Sequence, residues 1–232
     1  MTKVALQLSG LLRYNQKCID TLKWAIIDEL NPDIFCSFWE SEKTHDYITQ
    51  LNPKLVEIEN YDHILPNFES MFTVPVYRTL LPMIYKFYRV NSLKQSYELA
   101  NNFKYSFVIQ ARPDGQYFQK FPVDQMQECI NQHKIKMTLV YSPNIDPYIS
   151  PRIADTLFVG DNHSMNSVAS VFWMLRDQAE ENNKNGLYNY NQIAEIIQSQ
   201  CWQKLGVRWD VLQGSGIEGN FNWDLDPTRH SR

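Results

Sequence analysis

The sequence predicts an α/β fold with a mainly parallel central sheet flanked by helices. Strand-like and helix-like segments alternate along its 232 residues, a pattern typical of a sheet with helices packed against it. Residues 3–39 read as one strand, helix and strand unit, and residues 105–111 form an apolar run that ends in the charged turn 112–115. A chain of this length suits a single domain.

The N-terminal unit is the clearest part of this pattern. Residues 3–8 alternate as a strand does and lead into the turn Ser9-Gly10-Leu-Leu-Arg13, after which a helix is predicted over 16–30. Asn31-Pro32 ends that helix, because the residue before a proline disfavours helical geometry. The aromatic and apolar run Asp33–Trp39 then predicts a second strand, parallel to the first.

The middle of the chain predicts helix and turn at 41–53 and a strand at 55–58. Three prolines, at 66, 75 and 82, make residues 59–82 read as irregular, since proline disrupts a helix interior. From Met83 an apolar stripe recurs at helical spacing and predicts a long helix. Lys86, Arg89 and Lys94 lie off this stripe and are expected to be solvated.

The C-terminal part repeats the alternation. Strands are predicted at 105–111, 136–141, 154–160 and 207–212, and helices at 165–182 and 191–204. A proline-rich loop between 141 and 154 is long enough to act as a lid. Residues 213–232 read as an irregular tail.

Composition excludes several classes of protein. With 22 basic and 26 acidic residues and no basic cluster, nucleic acid is not expected as a partner. The four cysteines lie far apart, which argues against a zinc knuckle or a disulfide framework and favours a reducing, cytoplasmic location. No run approaches about 18 apolar residues, so no membrane span is expected. The apolar run at the N-terminus is too short for a signal peptide.

Three polar clusters follow predicted strands: the 9–13 turn, Arg112-Pro113-Asp114, and Asp155 with Asp161-Asn-His163. Open α/β sheets bind ligands beyond the carboxyl ends of their strands, so the three clusters are expected to converge there. A glycine turn that opens onto a helix offers backbone N–H groups to an anion, and Arg13 adds a planar donor group for a phosphate. The alternative for each turn is a purely structural one, because Pro-Asp-Gly is ordinary turn chemistry.

Four segments, taken in their order along the chain, resemble segments of a group of viral and bacterial glycosyltransferase-like proteins. These proteins share an S-G-x-x-R turn, a D-x-F-x-x-x-W strand and a strand end such as R-x-R-x-D. The likeness covers roughly residues 3–175. Its four segments are Leu8–Arg13, Asn31–Trp39, Phe107–Asp114 and Asp155–Gly160.

The resemblance implies a Rossmann-like domain of the GT-A kind and a hexosyltransferase that uses a nucleotide-diphosphate sugar and a glycan or other hydroxyl acceptor. It implies that Ser9, Gly10, Arg13 and Arg112 bind the donor. In such enzymes a D-x-D pair holds Mn²⁺ or Mg²⁺ against the diphosphate. Here that place reads Arg112-Pro-Asp114, so either Asp114 holds the cation with few protein ligands, or Arg112 and Arg13 stabilise the diphosphate directly.

Gln110 also departs from the pattern, because it stands where arginine is common. A general base near the acceptor hydroxyl is expected of an inverting transferase. Asp155 and Asp161 are the carboxylates best placed for it by their order along the chain. His163 is an alternative, although a helix-capping role for the 161–164 segment is favoured.

The resemblance further implies a nucleotide-sugar half at 1–120 and an acceptor half at 121–212. Two other functions are weighed against a transferase. A nuclease would need an acidic residue two positions before Lys120, and Phe118 stands there instead. A catalytically silent sugar-binding or assembly protein on the same scaffold is the second alternative, because a fold does not by itself imply activity.

Overall fold

The computed structural model describes residues 3–13, 16–64, 77–139, 153–185 and 193–212. Within these ranges the strands form one seven-stranded sheet, which confirms the predicted α/β class. The strands are β1 (Val4–Gly10), β2 (Asp33–Trp39), β3 (Leu55–Glu59), β4 (Phe107–Ala111), β5 (Lys134–Leu139), β6 (Ile153–Asp161) and β7 (Arg208–Val211).

The strand order is β3-β2-β1-β4-β6-β5-β7. β1 pairs in parallel with β2 and with β4, β2 pairs in parallel with β3, and β5 pairs in parallel with β7. β6 runs antiparallel to both of its neighbours, β4 and β5. The sheet is therefore mixed and mainly parallel, and its first four strands in spatial order share one carboxyl edge.

Helices cover both faces of the sheet. They are α1 (Gln16–Leu22), α2 (Asp28–Leu30), α3 (Thr44–Leu51), α4 (Tyr77–Ala100), α5 (Asp124–Gln132), α6 (Asn162–Ala169), α7 (Leu175–Lys184) and α8 (Ile193–Lys204). A π-helical turn at Lys23–Ile27 joins α1 to α2, and a 3₁₀ turn at Ser170–Trp173 follows α6. No helix in the described ranges is both long enough and apolar enough to cross a membrane.

Alternation along the strands builds one core on each face. One core lies between the sheet and α4, α6 and α8, and includes Phe35, Phe87, Phe158 and Trp202. The other lies between the sheet and α1, α3 and α5, and includes residues of β1 and β4 whose side chains point the opposite way. Because β1 and β4 are central, they are buried on both faces, as parallel strands usually are.

The N-terminal unit forms as the sequence predicts. β2 spans the predicted residues, and the predicted helix at 16–30 is present as α1, the π-helical turn and α2. Asn31 ends it with a left-handed φ of 43°, a conformation that asparagine tolerates better than most residues.

The long helix α4 begins earlier than predicted. It starts at Tyr77 and contains Pro82 in its second turn, so the expectation that Pro82 lies outside the helix is wrong. Pro82 is the sixth residue of the helix, so it removes the backbone hydrogen bond to the carbonyl of residue 78. Buried Leu81 and Ile84 on either side of it anchor this turn in the core.

Two further differences lie in the C-terminal part. Helix α5 was not predicted, and its buried face consists of Met126 and Cys129. The predicted helix at 165–182 is broken by the 3₁₀ turn before α7. The predicted lid within 142–152 and the predicted tail at 213–232 lie outside the described residues.

Candidate functional site

Two charged turns meet at the centre of the carboxyl edge. Leu8 of β1 pairs with Ala111 of β4 in a parallel register. The residues that follow, Ser9 and Arg112, therefore leave neighbouring strands at the same level. This is the position at which open α/β sheets bind ligands.

Gly10 gives the first turn its geometry. Its φ is +112°, a conformation that side-chain-bearing residues rarely adopt. Among the described residues, no atom lies within 4 Å of the position that a Cβ would occupy there. Arg13, three residues further on, is exposed. The turn thus places a glycine and one exposed cation at the sheet edge.

Arg112 and Asp114 form a bidentate ion pair in the second turn. Arg112 donates from Nε to Oδ1 at 2.9 Å and from Nη2 to Oδ2 at 2.8 Å. The Asp114 side chain is only 4% exposed, whereas that of Arg112 is 25% exposed. The guanidinium is therefore the member of the pair that reaches solvent, and the carboxylate lies beneath it.

The backbone of this turn is held from below. The Tyr47 hydroxyl of α3 donates to the Pro113 carbonyl at 3.3 Å, and the Cys18 thiol of α1 donates to the Asp114 carbonyl at 3.5 Å. Burial, and then the charge of Asp114, raise the pKa of Tyr117 beside the turn. Both α1 and α3 thus fix the position of residues 113 and 114.

Polar side chains continue beneath the edge, on the face covered by α4. Gln110 donates to the Ser9 hydroxyl at 2.9 Å, and Gln7 donates to Asn91 of α4 at 3.0 Å. The Oε1 atoms of Gln7 and Gln110 have no hydrogen-bond partner within the described part of the chain. A buried acceptor without a donor is costly, so the Oε1 atoms of Gln7 and Gln110 favour a partner that donates an O–H or N–H hydrogen bond.

A second charged cluster lies at the carboxyl end of β3. Lys86 of α4 is fully buried and contacts Glu59 at 2.6 Å and Glu57 at 3.8 Å, and Arg89 also pairs with Glu57. The expectation that Lys86 is solvated is therefore wrong. Burial lowers the pKa of Lys86, although both glutamates oppose the shift. Its ammonium also lies 4.3 Å from the centroid of the Trp39 ring.

The Glu57 carboxylate is stabilised in its charged form. Burial acts to raise the pKa of Glu57, but hydrogen bonds and charge from Arg89, with the charge of Lys86, outweigh burial and lower it. The hydroxyl of Ser37 also donates to Glu57 at 3.0 Å. These carboxylates are thus already engaged by cations of the chain itself.

The predicted cation site at Asp114 does not fit a divalent metal ion. Both oxygens of Asp114 accept hydrogen bonds from Arg112, and the side chain is buried. Across the described ranges, no three His, Cys, Asp or Glu residues are grouped so that they could hold a metal. Mg²⁺ at a phosphate site is usually held by one or two carboxylates together with substrate phosphates and water, and the carboxylate of this turn, Asp114, already pairs with the Arg112 guanidinium through both oxygens.

Asp155 and Asp161 lie at opposite ends of β6. Because β6 is antiparallel to β4, Phe107 pairs with Asp161 and Ala111 pairs with Leu157. Asp155, two residues before Leu157, therefore has its backbone at the edge that carries Arg112; its side chain lies outside the description. Asp161 is at the far edge, so the expectation that it joins the other clusters is wrong.

Asp161 instead begins helix α6. Its carboxylate accepts from the backbone N–H groups of His163 and Ser164 at 2.9 and 3.1 Å, and from the Ser164 hydroxyl at 2.6 Å. This is N-cap geometry. The capping role favoured for the 161–164 segment is confirmed, and His163 shares the position of Asp161 at the far edge.

Several residues at the edge were not singled out from the sequence. The sequence does not single out Cys18 and Tyr47 as supports of the turn, and it predicts that Lys86 and Arg89 are solvated, whereas both pair with glutamates of β3. The only signal for these pairs was the recurrence of glutamate at 57 and 59 along β3, on the face that α4 covers. Such partners are 27 and 32 residues apart, beyond the reach of local patterns.

Comparisons with known proteins bear on the fold. No protein-family model matches the sequence, and no curated protein matches it. Among solved structures, the crystal structure of mouse xyloside xylosyltransferase 1 in its apo form matches over 91% of this chain and 85% of that chain. The TM-score is 0.50 and the sequence identity is 11%.

A likeness at this identity concerns the fold and leaves specific residues undetermined. It agrees with the mixed seven-stranded sheet flanked by helices. The described residues therefore form a Rossmann-like α/β sheet domain whose fold is similar to that of this xylosyltransferase.

Proposed function

We propose that this protein is a glycosyltransferase that moves a sugar from a nucleotide-diphosphate donor to a hydroxyl group of a glycan or another acceptor. The observation that supports this most is the meeting of the Gly10 turn and the Arg112 turn on neighbouring parallel strands. A glycine turn at the sheet edge and a fixed guanidinium suit the diphosphate of the donor. The glycosyltransferase fold supports the same assignment.

In the proposed reaction, the bond between the anomeric carbon of the sugar and the β-phosphate oxygen breaks. Its electron pair leaves with the nucleoside diphosphate. The acceptor oxygen forms the new bond to the anomeric carbon and loses its proton to a base. Negative charge grows on the diphosphate as it leaves, so donors fixed at that place accelerate the step.

Ser9, Gly10, Arg13 and Arg112 are proposed to bind the donor. Asp155 is proposed as the general base, because its backbone lies at the same edge on the strand next to β4. The donor would occupy the half of the domain formed by residues 1–120. Residues 121–212, which include β6, would then supply the acceptor side.

The first experiment is a thermal-shift panel of nucleoside diphosphates and nucleotide sugars. A ligand that binds only the native state stabilises it by RT ln(1 + [L]/Kd), about 2.7 kcal/mol at a hundredfold excess over Kd. We expect one nucleotide family to raise Tm. Release of nucleoside diphosphate in the presence of a hydroxyl acceptor then tests turnover. Binding without release would favour the silent sugar-binding alternative.

A matched pair of variants on β6 tests the base. Asp155→Asn should lower transfer roughly 10²- to 10⁴-fold, the usual contribution of general base catalysis. Asp161→Asn changes the same residue type on the same strand at the far edge, and should leave transfer unchanged. Equal effects of the two substitutions on transfer would remove Asp155 from this role.

A further inference from the structure

We infer that the donor diphosphate is bound by the Arg112 guanidinium without a divalent cation at Asp114, and that Asp114 serves to position Arg112. This inference rests on the proposed function and deepens it. It concerns the chemistry that recognises the diphosphate, and it assigns the two charged residues of one turn to different tasks.

The first argument is the geometry of the pair. A bidentate pair with distances of 2.9 and 2.8 Å occupies both carboxylate oxygens of Asp114. A cation that bound there would displace the guanidinium and leave two positive charges competing for one carboxylate. The planar donor group of arginine matches a carboxylate in a way that a point charge does not.

The second argument is burial and support. Asp114 is 4% exposed, and its own carbonyl and that of Pro113 are held by Cys18 and Tyr47. The carboxylate is thus fixed from below and points to Arg112. Mg²⁺ at a phosphate site is usually held by one or two carboxylates. The carboxylates of β3, which β2 and β1 separate from β4, already pair with Lys86 and Arg89.

The third argument is what Arg112 supplies. Its charge is permanent at any physiological pH, and it directly follows β4, the strand next to β1 and its Gly10 turn. Arginine recognises phosphate oxygens through directed hydrogen bonds, and a fixed guanidinium can stabilise the charge of a leaving diphosphate. The carboxylate beneath it holds the side chain in one orientation before the ligand arrives.

The test is calorimetric titration of the wild-type protein with UDP, GDP, ADP and CDP. Each nucleoside diphosphate is titrated once in EDTA and once in Mn²⁺, with Mg²⁺ as a third condition. We expect one of them to bind with a Kd that agrees within twofold across the three conditions. A Kd at least tenfold tighter with either metal, or binding seen only with metal, would overturn the inference.

Variants separate the tasks of the two residues. Arg112→Ala should raise Kd at least tenfold in EDTA and in Mn²⁺ alike, and Arg112→Lys should recover only part of that loss, because lysine keeps the charge without the planar donor group. Asp114→Asn should raise Kd severalfold by the same factor in both conditions. A loss in Asp114→Asn that appears only with Mn²⁺ would make Asp114 a metal ligand.

Arg208→Ala is the matched control. It removes the same residue type from β7, on the outer strand at the other side of the sheet, and should leave Kd unchanged. Circular dichroism and cooperative urea unfolding check that each variant folds. If a variant does not fold, the metal comparison on the wild-type protein still decides the inference.

The outcomes also separate this inference from the proposed function. Binding that requires metal would leave the glycosyltransferase proposal standing and reject the metal-free site. Failure of every nucleoside diphosphate to bind, with and without metal, would overturn the proposed function and this inference together.

Discussion

Asp155 and Asp161 show how much depends on a single residue's place along a strand. They stand six residues apart on β6, with the same chemistry, and the direction of that strand puts them at opposite edges of the sheet. Asp161 consequently caps a helix, while Asp155 lies at the edge with the charged turns. Their chain order alone does not distinguish these positions.

The capping role of Asp161 makes a direct stability prediction. Asp161→Ala removes the acceptor for two backbone N–H groups and one hydroxyl, and should lower the free energy of unfolding by about 1 to 2 kcal/mol. Urea denaturation measures this loss. Asp161→Asn should lose much less, since asparagine also caps helices well. A variant with unchanged stability but impaired nucleotide binding would contradict the capping role.

At the scale of elements, α4 connects the two edges of the sheet through buried charges. Lys86, the tenth residue of α4, pairs with β3 at the carboxyl edge. Lys94, eight residues further along the same helix, is fully buried and contacts Glu98, Asn162 and Asn166. The helix is thus fastened to β3 and to α6 by ion pairs and amide contacts as well as by its apolar stripe.

The buried ammonium of Lys94 predicts a pH dependence of stability. Burial lowers the pKa of Lys94 to about 8, against the opposing charge of Glu98. The folded protein thus holds this proton more weakly than the unfolded chain, whose lysines titrate near 10.4. Below pH 8 the buried ammonium of Lys94 therefore lowers the free energy of unfolding, and this loss decreases as the pH rises toward 10.4.

We expect the free energy of unfolding of the wild type, relative to Lys94→Met, to rise on the order of 2 kcal/mol from pH 7 to pH 10. Urea denaturation at both pH values gives this difference. Lys104→Met is the control, because Lys104 contacts the same Glu98 at 3.5 Å but is 69% exposed. If the difference in free energy of unfolding between the wild type and Lys94→Met is the same at both pH values, the lowered pKa is contradicted.

At the scale of the whole molecule, the sheet has a core on each face, and all four cysteines lie in these cores. Cys18, Cys36 and Cys129 lie in the core on the α1 side of the sheet, and Cys201 lies in the core on the α4 side. Burial raises the pKa of Cys36, and it raises the pKa of Cys129 and Cys201 to about 11. Their reactive thiolate forms are therefore scarce at neutral pH.

The cysteines thus report on global unfolding. In the native protein at pH 8 we expect no rapid reaction of any thiol with a disulfide reagent such as DTNB, and reaction of all four after unfolding in guanidinium chloride. Thiolate fraction and access both control this reaction. One thiol that reacts within the mixing time in native buffer would show that a core is open there.

The sequence by itself determined the elements whose signals are local. Alternation and apolar runs located β1, β2 and β4, the helix stop at Asn31 depends on neighbouring residues, and glycine marked the turn after β1. The same signals located the Arg112 and Asp114 turn at a strand end. Residues close together in the chain carry this information, because backbone preferences and side-chain periodicity act over a few residues.

Only the tertiary structure decided which of these pieces share an edge and which charges meet. Because β6 is antiparallel to β4, Asp161 lies away from the site. The packing of α4 on β3 buries Lys86 against glutamates 27 and 29 residues earlier in the chain. In the turn after β4, the Asp114 carboxylate pairs with Arg112. Strand direction and burial depend on contacts distant in sequence. Local patterns do not contain them, since long-range pairing is set by how whole faces pack.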